Sequence, residues 1–410
     1  MRRAVITGLG AVTPVGNDVP TTWANLVAGV SGVDVISSFD ASEYPVNIAA
    51  QVKDFDPTEA MSVKEARKTG PNVHFGVRAA MEAARDSGLE DIDPSRAGVI
   101  IGSAVGGLPQ VLEQQKVLEQ RGRERVSPHW LPNMLVDTTT SHVATQLGWR
   151  GANYAIVSAC ASGTHAIGDA AEVVKRGQAD AILAGGTESA IVPLILAGFC
   201  SMRALADGRD DPAAASRPFD ATRSGFVMAE GAAVVMVEEL EHAQRRDAQI
   251  YCEVAGYGAS NDAYHVATPH PESVGVIEMM RAALAGSGVA PEEVDYINAH
   301  GTSTPYNDSA ETLAIKTVFG GHAYEMAVSS IKSMIGHLFG AAGAIEALSS
   351  ALTIHHGVIP PTINYRTPDP ECDLDYVPNE ARTSDVRVAL SNSMGLGGHN
   401  GCVILKRYEP

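Results

Sequence analysis

The sequence predicts an α/β protein made of two related halves, and three features lead there. Short Val, Ile and Ala runs read as buried strands: AVITGLG at 4–10, AGVIIGSA at 97–104, DAILAGG at 180–186 and AAVVMVEE at 232–239. Alanine-rich helical patterns lie between them, from Asn72 to Ser87 and from Ala161 to Arg176, and that alternation favours largely parallel pairing. Forty glycines without a fixed period exclude a collagen-like repeat. Finally, YAIVSACASGTHAIGDAAEVV from Tyr154 and MAVSSIKSMIGHLFGAAGAIEAL from Met326 share one plan: an apolar run, a small polar turn, then a Gly/Ala-rich helix. Each half also opens on an apolar segment running into GLG (Gly8) or GYG (Gly256). The charged, helix-forming stretch ELEHAQRRDAQ at 239–249 closes the first half, giving units of 1–250 and 251–410.

Composition narrows the function. The chain has 410 residues, 45% of them hydrophobic and 19% charged, enough for two packed cores. Thirty Lys plus Arg against 48 Asp plus Glu leave a net charge of −18, which argues against general binding to nucleic acid or an anionic membrane. An anionic partner must dock on a local basic patch. The longest apolar stretch, near 190–200, is interrupted by Pro193 and Gly198 and is shorter than the ~18–20 residues a bilayer span needs. MRRAVITGLG reads as a first strand and not as a signal peptide, so a cytoplasmic protein is expected. Five scattered cysteines (Cys160, Cys200, Cys252, Cys372, Cys402) fit free thiols, with no disulfide framework and no metal site. Gly8-x-Gly10 fails as a dinucleotide fingerprint because Thr13 stands where the third glycine belongs, and no Walker or H-E-x-x-H pattern occurs.

Four constellations remain as candidate chemistry. Cys160, in SACASGTHAIG, lies where a strand gives way to a helix opening on Ala161, Ser162 and Gly163. The positive field of a helix N-terminus is expected to lower the pKa of such a thiol, and backbone N–H groups of the same turn suit an oxyanion. A buried structural cysteine is the competing reading. His300, in INAHGTSTPYND, and His337, in SSIKSMIGHLFGAAGAIEA, each follow an apolar strand; a hydrogen-bonded loop histidine is the bland alternative. Lys332 and Glu346 span a turn and a helix, so spacing does not pair them, and Lys332 alone reads as a solvated charge. SNSMGLGGHNG, at 391–401, holds four glycines, which fit either a tight hairpin before CVILKRY or a close approach of backbone to a ligand or another loop.

In their order and spacing these elements resemble the β-ketoacyl-acyl carrier protein synthases, most of all the synthase II group of bacterial fatty-acid elongation. The likeness runs nearly end to end, from VITGLGAVTPVG through AGGTES and SRPFDATRSGFVMAEGA to the last strand. It implies the thiolase fold, a five-layered αβαβα arrangement of two related halves, usually homodimeric. It implies that Cys160 is the nucleophile accepting an acyl chain from acyl carrier protein, and that His300 and His337 bind the malonyl thioester carbonyl while carbon dioxide leaves. Lys332 and Glu346 match the pair that organises this site. By the same resemblance the backbone N–H groups of Cys160 and Leu396 form the oxyanion hole, and Thr302 and Thr304 hydrogen-bond the phosphopantetheine arm. Val105, Phe199 and the glycine loop shape the acyl pocket. No bound cofactor is required, because the pantetheine arrives on the substrate. Asn298, Glu346, Ser391 and Asn392 lie where some relatives hold a structural monovalent cation. Lys64, Arg67 and Lys68 in VKEARK, with Arg203 in SMRAL, match the family's docking patch for the acidic carrier protein; a solvated helix face is the alternative.

The chain departs from the family pattern in places. Met394 and Leu396 stand where the gating loop usually carries phenylalanines, TGPNVHFG replaces a Met-Asp-Arg-Phe-like run, and Ala229 replaces a common glycine. Two further readings compete: the active ketosynthase subunit of an aromatic polyketide system, which shares the same residues, and a silent chain-length-setting subunit, which typically lacks the cysteine. A thiolase is disfavoured because its second catalytic cysteine is missing from SNSMGLGGHNG, Cys402 falling in the final strand.

Overall fold

The computed structural model describes residues 2–409. The first half supplies strands β1 (Ala4–Val12), β2 (Ala97–Gly102), β3 (Asn153–Tyr154), β4 (Ala181–Glu188) and β5 (Gly231–Glu239). The second supplies β6 (Cys252–Asn261), β7 (Tyr296–Asn298), β8 (Ala327–Ser329), β9 (Val388–Gly395) and β10 (His399–Lys406). Strand order within the first half is β1-β5-β4-β2-β3, and within the second it is β6-β10-β9-β7-β8, the same arrangement twice. The halves join through a short antiparallel contact that sets Val5 opposite Glu253 and Ile6 opposite Cys252.

Pairing is mixed, which corrects the expectation of a largely parallel sheet. In each half the first two pairings are antiparallel and the last two parallel. The misleading signal was continuous hydrophobicity: β5 is buried along its whole length because helices cover both faces, although both of its neighbours run antiparallel.

Helices complete five layers. α1 (Pro71–Ser87) and α2 (Thr138–Leu147) cover the outside of the first half. α3 (Ser162–Lys175) and, further along the chain, α7 (Ala342–His356) fill the centre, and α5 (Val274–Ser287) with α6 (Pro305–Phe319) covers the outside of the second half. α4 (Pro193–Met202) stands beside the site described below. This is the thiolase-type fold. No helix among the described residues is long and apolar enough to cross a membrane.

The Gly-x-Gly pairs that open each half have a packing role. A Cβ on Gly8 would lie 2.2 Å from Ala83 O and one on Gly10 1.9 Å from Ala79 O, so only glycine lets α1 approach β1 so closely. Gly256 and Gly258 repeat the contact against α5, where a Cβ would fall 2.5 Å from Ala283 O and 2.2 Å from Met279 O. The central helices cross in the same way: a Cβ on Gly163 would meet Ala344 N at 2.7 Å, and one on Gly343 would meet Thr164 Oγ1 at 1.9 Å. This crossing brings the two segments that resembled each other in sequence face to face.

Candidate active site

Each central helix is entered through a strained elbow. Ala159 precedes α3 with φ +50°, and Phe339 precedes α7 with φ +47°, a left-handed conformation that a residue with a Cβ adopts at a cost. The turn Ala159–Ala161 places Cys160 at the first elbow, while the turn Phe339–Ala341 places Gly340 at the equivalent point of the second. Gly340 N–H donates to Glu188 Oε2 at 3.0 Å. Glu188, at the end of β4, also accepts from Ser103 Oγ (2.8 Å), Ala104 N (2.7 Å) and Val105 N (3.4 Å).

Cys160 is only 8% exposed and belongs to an apolar cluster with Ile191, Leu196, Leu205, Phe226 and Phe339, against which Val105 and Phe199 pack. Burial pushes its thiol up to about 12, while the Lys332 charge and a hydrogen bond from Leu396 N–H pull the other way. The expected lowering by the helix terminus is therefore overturned: desolvation of a charged sulfur outweighs it, and the resting group is a neutral thiol. Leu396 lies in the turn between β9 and β10, where Gly397 (φ +90°) and Gly398 (φ +74°) reverse the chain, so SNSMGLGGHNG is a hairpin that also presses on another loop. A Cβ on Gly395 would stand 3.1 Å from Cys160 N.

The second half contributes the imidazoles. His300 follows β7 by two residues, and His337 follows the short helix Lys332–Ile335; their rings are 5.4 Å apart and nearly perpendicular. Burial and the Lys332 charge, joined for His300 by the other ring, hold both well below the usual histidine range. Both are neutral. Lys332 Nζ lies 3.4 Å from His300 Nδ1 and donates to His300 O at 2.6 Å. An ammonium can only donate, so His300 Nδ1 is an acceptor and Nε2 carries the proton. Lys332 also pairs with Glu346, and both are buried, so Lys332 is the opposite of the solvated charge its sequence context suggests. Burial lifts Glu346 to about 7 against the pull of that lysine.

The remaining predicted residues fall in distinct places. Thr302 and Thr304 share a hydrogen bond at 2.9 Å, and Thr304 caps α6. Phe199 stacks on Phe339 at 5.5 Å, and Met394 packs on the second-half core. Lys64, Arg67, Lys68 and Arg203 are exposed and form no ion pair among the described residues. Residues that the sequence reading left out are chiefly buried carboxylates. Glu311 accepts from His300 N (2.9 Å) and Gly301 N (2.8 Å), fixing the loop that carries His300, and Glu188 fixes the loop that carries Val105. Nothing in a single sequence marks such anchors. Phe226, edge-on to His337 at 5.5 Å, was visible only as part of a longer motif.

A two-half fold in which a buried cysteine from one half and a neutral histidine pair from the other meet on the same rings, Phe226 and Phe339, defines a condensing enzyme. The chain belongs to the β-ketoacyl synthase family: residues 1–243 match the beta-ketoacyl synthase N-terminal domain and residues 251–366 the C-terminal domain. It is 50% identical over 408 residues, covering 99% of each chain, to a 3-oxoacyl-[acyl-carrier-protein] synthase 2 of Coxiella burnetii. Among solved structures it resembles the ishigamide ketosynthase/chain length factor (TM-score 0.93, 35% identity, full coverage of both chains). It also resembles a ketosynthase solved in complex with its type II PKS acyl-carrier protein (TM-score 0.92, 34% identity, full coverage of both).

Proposed function

We propose that this protein is a 3-oxoacyl-acyl carrier protein synthase of fatty-acid elongation, joining malonyl-acyl carrier protein to a chain held on Cys160. The observation that carries this reading is the neutral imidazole pair that shares the apolar surroundings of the buried Cys160 thiol through Phe226 and Phe339. Cys160 Sγ attacks the carbonyl carbon of an acyl thioester, the bond to the pantetheine sulfur breaks, and the thiol proton leaves with that sulfur. The N–H groups of Cys160 and Leu396 are suited to hold the intermediate oxyanion. The malonyl group then loses carbon dioxide. Its electron pair moves onto the thioester oxygen, which the ring N–H of His300 and that of His337 are suited to stabilise in a water-poor site. The enolate carbon attacks the Cys160 thioester and forms the 3-oxoacyl product, and the expelled sulfur takes up one proton from solvent to restore the neutral thiol.

Lys332 and Glu346 serve to orient this site and not to react. Thr302 and Thr304 would receive the pantetheine arm, and Val105 and Phe199 the acyl chain. Acyl carrier protein would dock on Lys64, Arg67, Lys68 and Arg203. No organic cofactor enters the scheme. The buried oxygens Asn298 Oδ1, Glu346 Oε2, Ser391 Oγ and Asn392 Oδ1 have no hydrogen-bond partner among the described residues, a donor set that suits a hard monovalent cation. Such an ion would stiffen the walls beneath the histidines. The outer edge of β3, with no strand beside it and with Tyr154 37% and, just beyond the strand, Val157 58% exposed, supports a homodimer, and the two units would divide near residue 250.

The polyketide reading is weaker, because identity to the 3-oxoacyl-[acyl-carrier-protein] synthase 2 relative is 50% against 34% to the ketosynthase solved with its type II PKS acyl-carrier protein. Cys160 disfavours a silent subunit. Intact-protein mass spectrometry tests the proposal: acyl carrier thioesters should leave an acyl adduct on Cys160 that disappears on malonyl-acyl carrier protein with formation of a 3-oxoacyl product. An adduct on another residue refutes it.

A further inference from the structure

His165, in the same SACASGTHAIG motif as the nucleophile, has no part in the chemistry above. It lies on the first turns of α3, mostly buried, with Nδ1 2.8 Å from Ser158 Oγ and Nε2 3.2 Å from Asn400 O. A carbonyl only accepts, so Nε2 carries the proton and Nδ1 accepts from the Ser158 hydroxyl. One neutral ring therefore ties two elements together. Ser158 begins the elbow that sets Cys160 N–H, and it is further held by Ser162 Oγ, which accepts from Ser158 N at 2.9 Å. Asn400 lies opposite Met394 across the β9–β10 hairpin whose turn presents Leu396 N–H.

We propose that His165 is a positioning residue that fixes the spacing between the two backbone donors facing the acyl carbonyl. The inference rests on the acylation reading above. Its second support is Gly401: a Cβ there would lie 2.6 Å from His165 Cδ2 and 2.7 Å from Nε2, so this glycine of the SNSMGLGGHNG loop leaves the space through which the ring reaches Asn400. The Tyr257 ring, edge-on at 6.1 Å, closes the other side. An oxyanion hole works only when both donors meet the developing charge, and displacement by a fraction of an ångström loosens it.

Three variants test the idea in the full-length protein: His165→Ala, Ser158→Ala, which cuts only the elbow side, and Gly401→Ala, which pushes the ring off Asn400 and leaves His165 in place. Two rates are read separately: acylation of Cys160 by an acyl carrier thioester, and decarboxylation of malonyl-acyl carrier protein, which uses His300 and His337. Each variant should slow acylation, by about 100-fold for His165→Ala, while decarboxylation stays within about twofold because its donors are untouched. His165→Gln, which keeps a donor and an acceptor, should recover part of the loss. Equal loss of both rates, or no loss of acylation in Ser158→Ala and Gly401→Ala, overturns the inference. Acylation at another residue in the unmodified protein would instead refute the underlying reaction scheme.

Discussion

At the scale of single residues, the site is organised by what burial does to charge. A thiol lifted to about 12 is almost wholly protonated at neutral pH, so its reactivity toward iodoacetamide should rise about tenfold per pH unit between about pH 7 and 9. A plateau in that range would show a thiolate already formed. The histidines behave oppositely, since burial keeps them uncharged and able to donate one ring N–H each. Replacing either His300 or His337 by Ala should slow malonyl decarboxylation by about 10²–10³, the cost of one oxyanion donor, and leave acylation of Cys160 much less affected, as separate assays of the two half-reactions would show. Cys160 and both histidines stand out in the sequence through their motifs. Their protonation was not, because a helix terminus can be read from residue order whereas desolvation depends on what the rest of the chain packs around the sulfur. Glu311 and Glu188 escaped for the same reason: a carboxylate becomes a backbone anchor only through distant partners.

At the scale of elements, glycine marks where helix meets strand. Gly8→Ala and Gly256→Ala push a methyl group into a backbone carbonyl that has no room to retreat, and each should lower stability by about 1–3 kcal/mol. Gly286 offers the contrast, since it is exposed on α5 and its nearest neighbour would be Tyr257 O at 3.9 Å. Gly286→Ala should raise stability by about 0.5–1 kcal/mol through helix propensity alone. Chemical denaturation of the variants checks both signs. Helices α1 and α3 were readable to within a residue or two from periodicity, as were the central strands. Strand direction was not, because burial on both faces erases the alternation that betrays an antiparallel pair. The run from Tyr154 also looked like a full strand, yet only Asn153–Tyr154 pairs, and only at the sheet edge.

At the scale of the whole molecule, a protein of net charge −18 would, under the proposed function, attract an acidic carrier protein through a local basic patch. Changing Lys64, Arg67 and Lys68 to Glu should raise KM for acyl carrier protein more at low salt than at high, because exposed charges act over a length that salt shortens. An unchanged KM would assign those residues to ordinary solvation. The twofold plan of the chain was visible in sequence only as a faint likeness between two segments. The fold shows why that likeness survived: both segments build the same elbow and the same glycine crossing at the centre. One elbow keeps its sulfur, whereas at the other Gly340 turns its amide to the carboxylate of Glu188. The chain thus carries its own comparison for catalysis. A carboxyl oxygen supplied by the protein itself accepts a backbone N–H at the twin of the place where, in the proposed scheme, a passing thioester would briefly acquire negative charge, so the duplicated turn serves once as a fastener and, by that scheme, once as a tool.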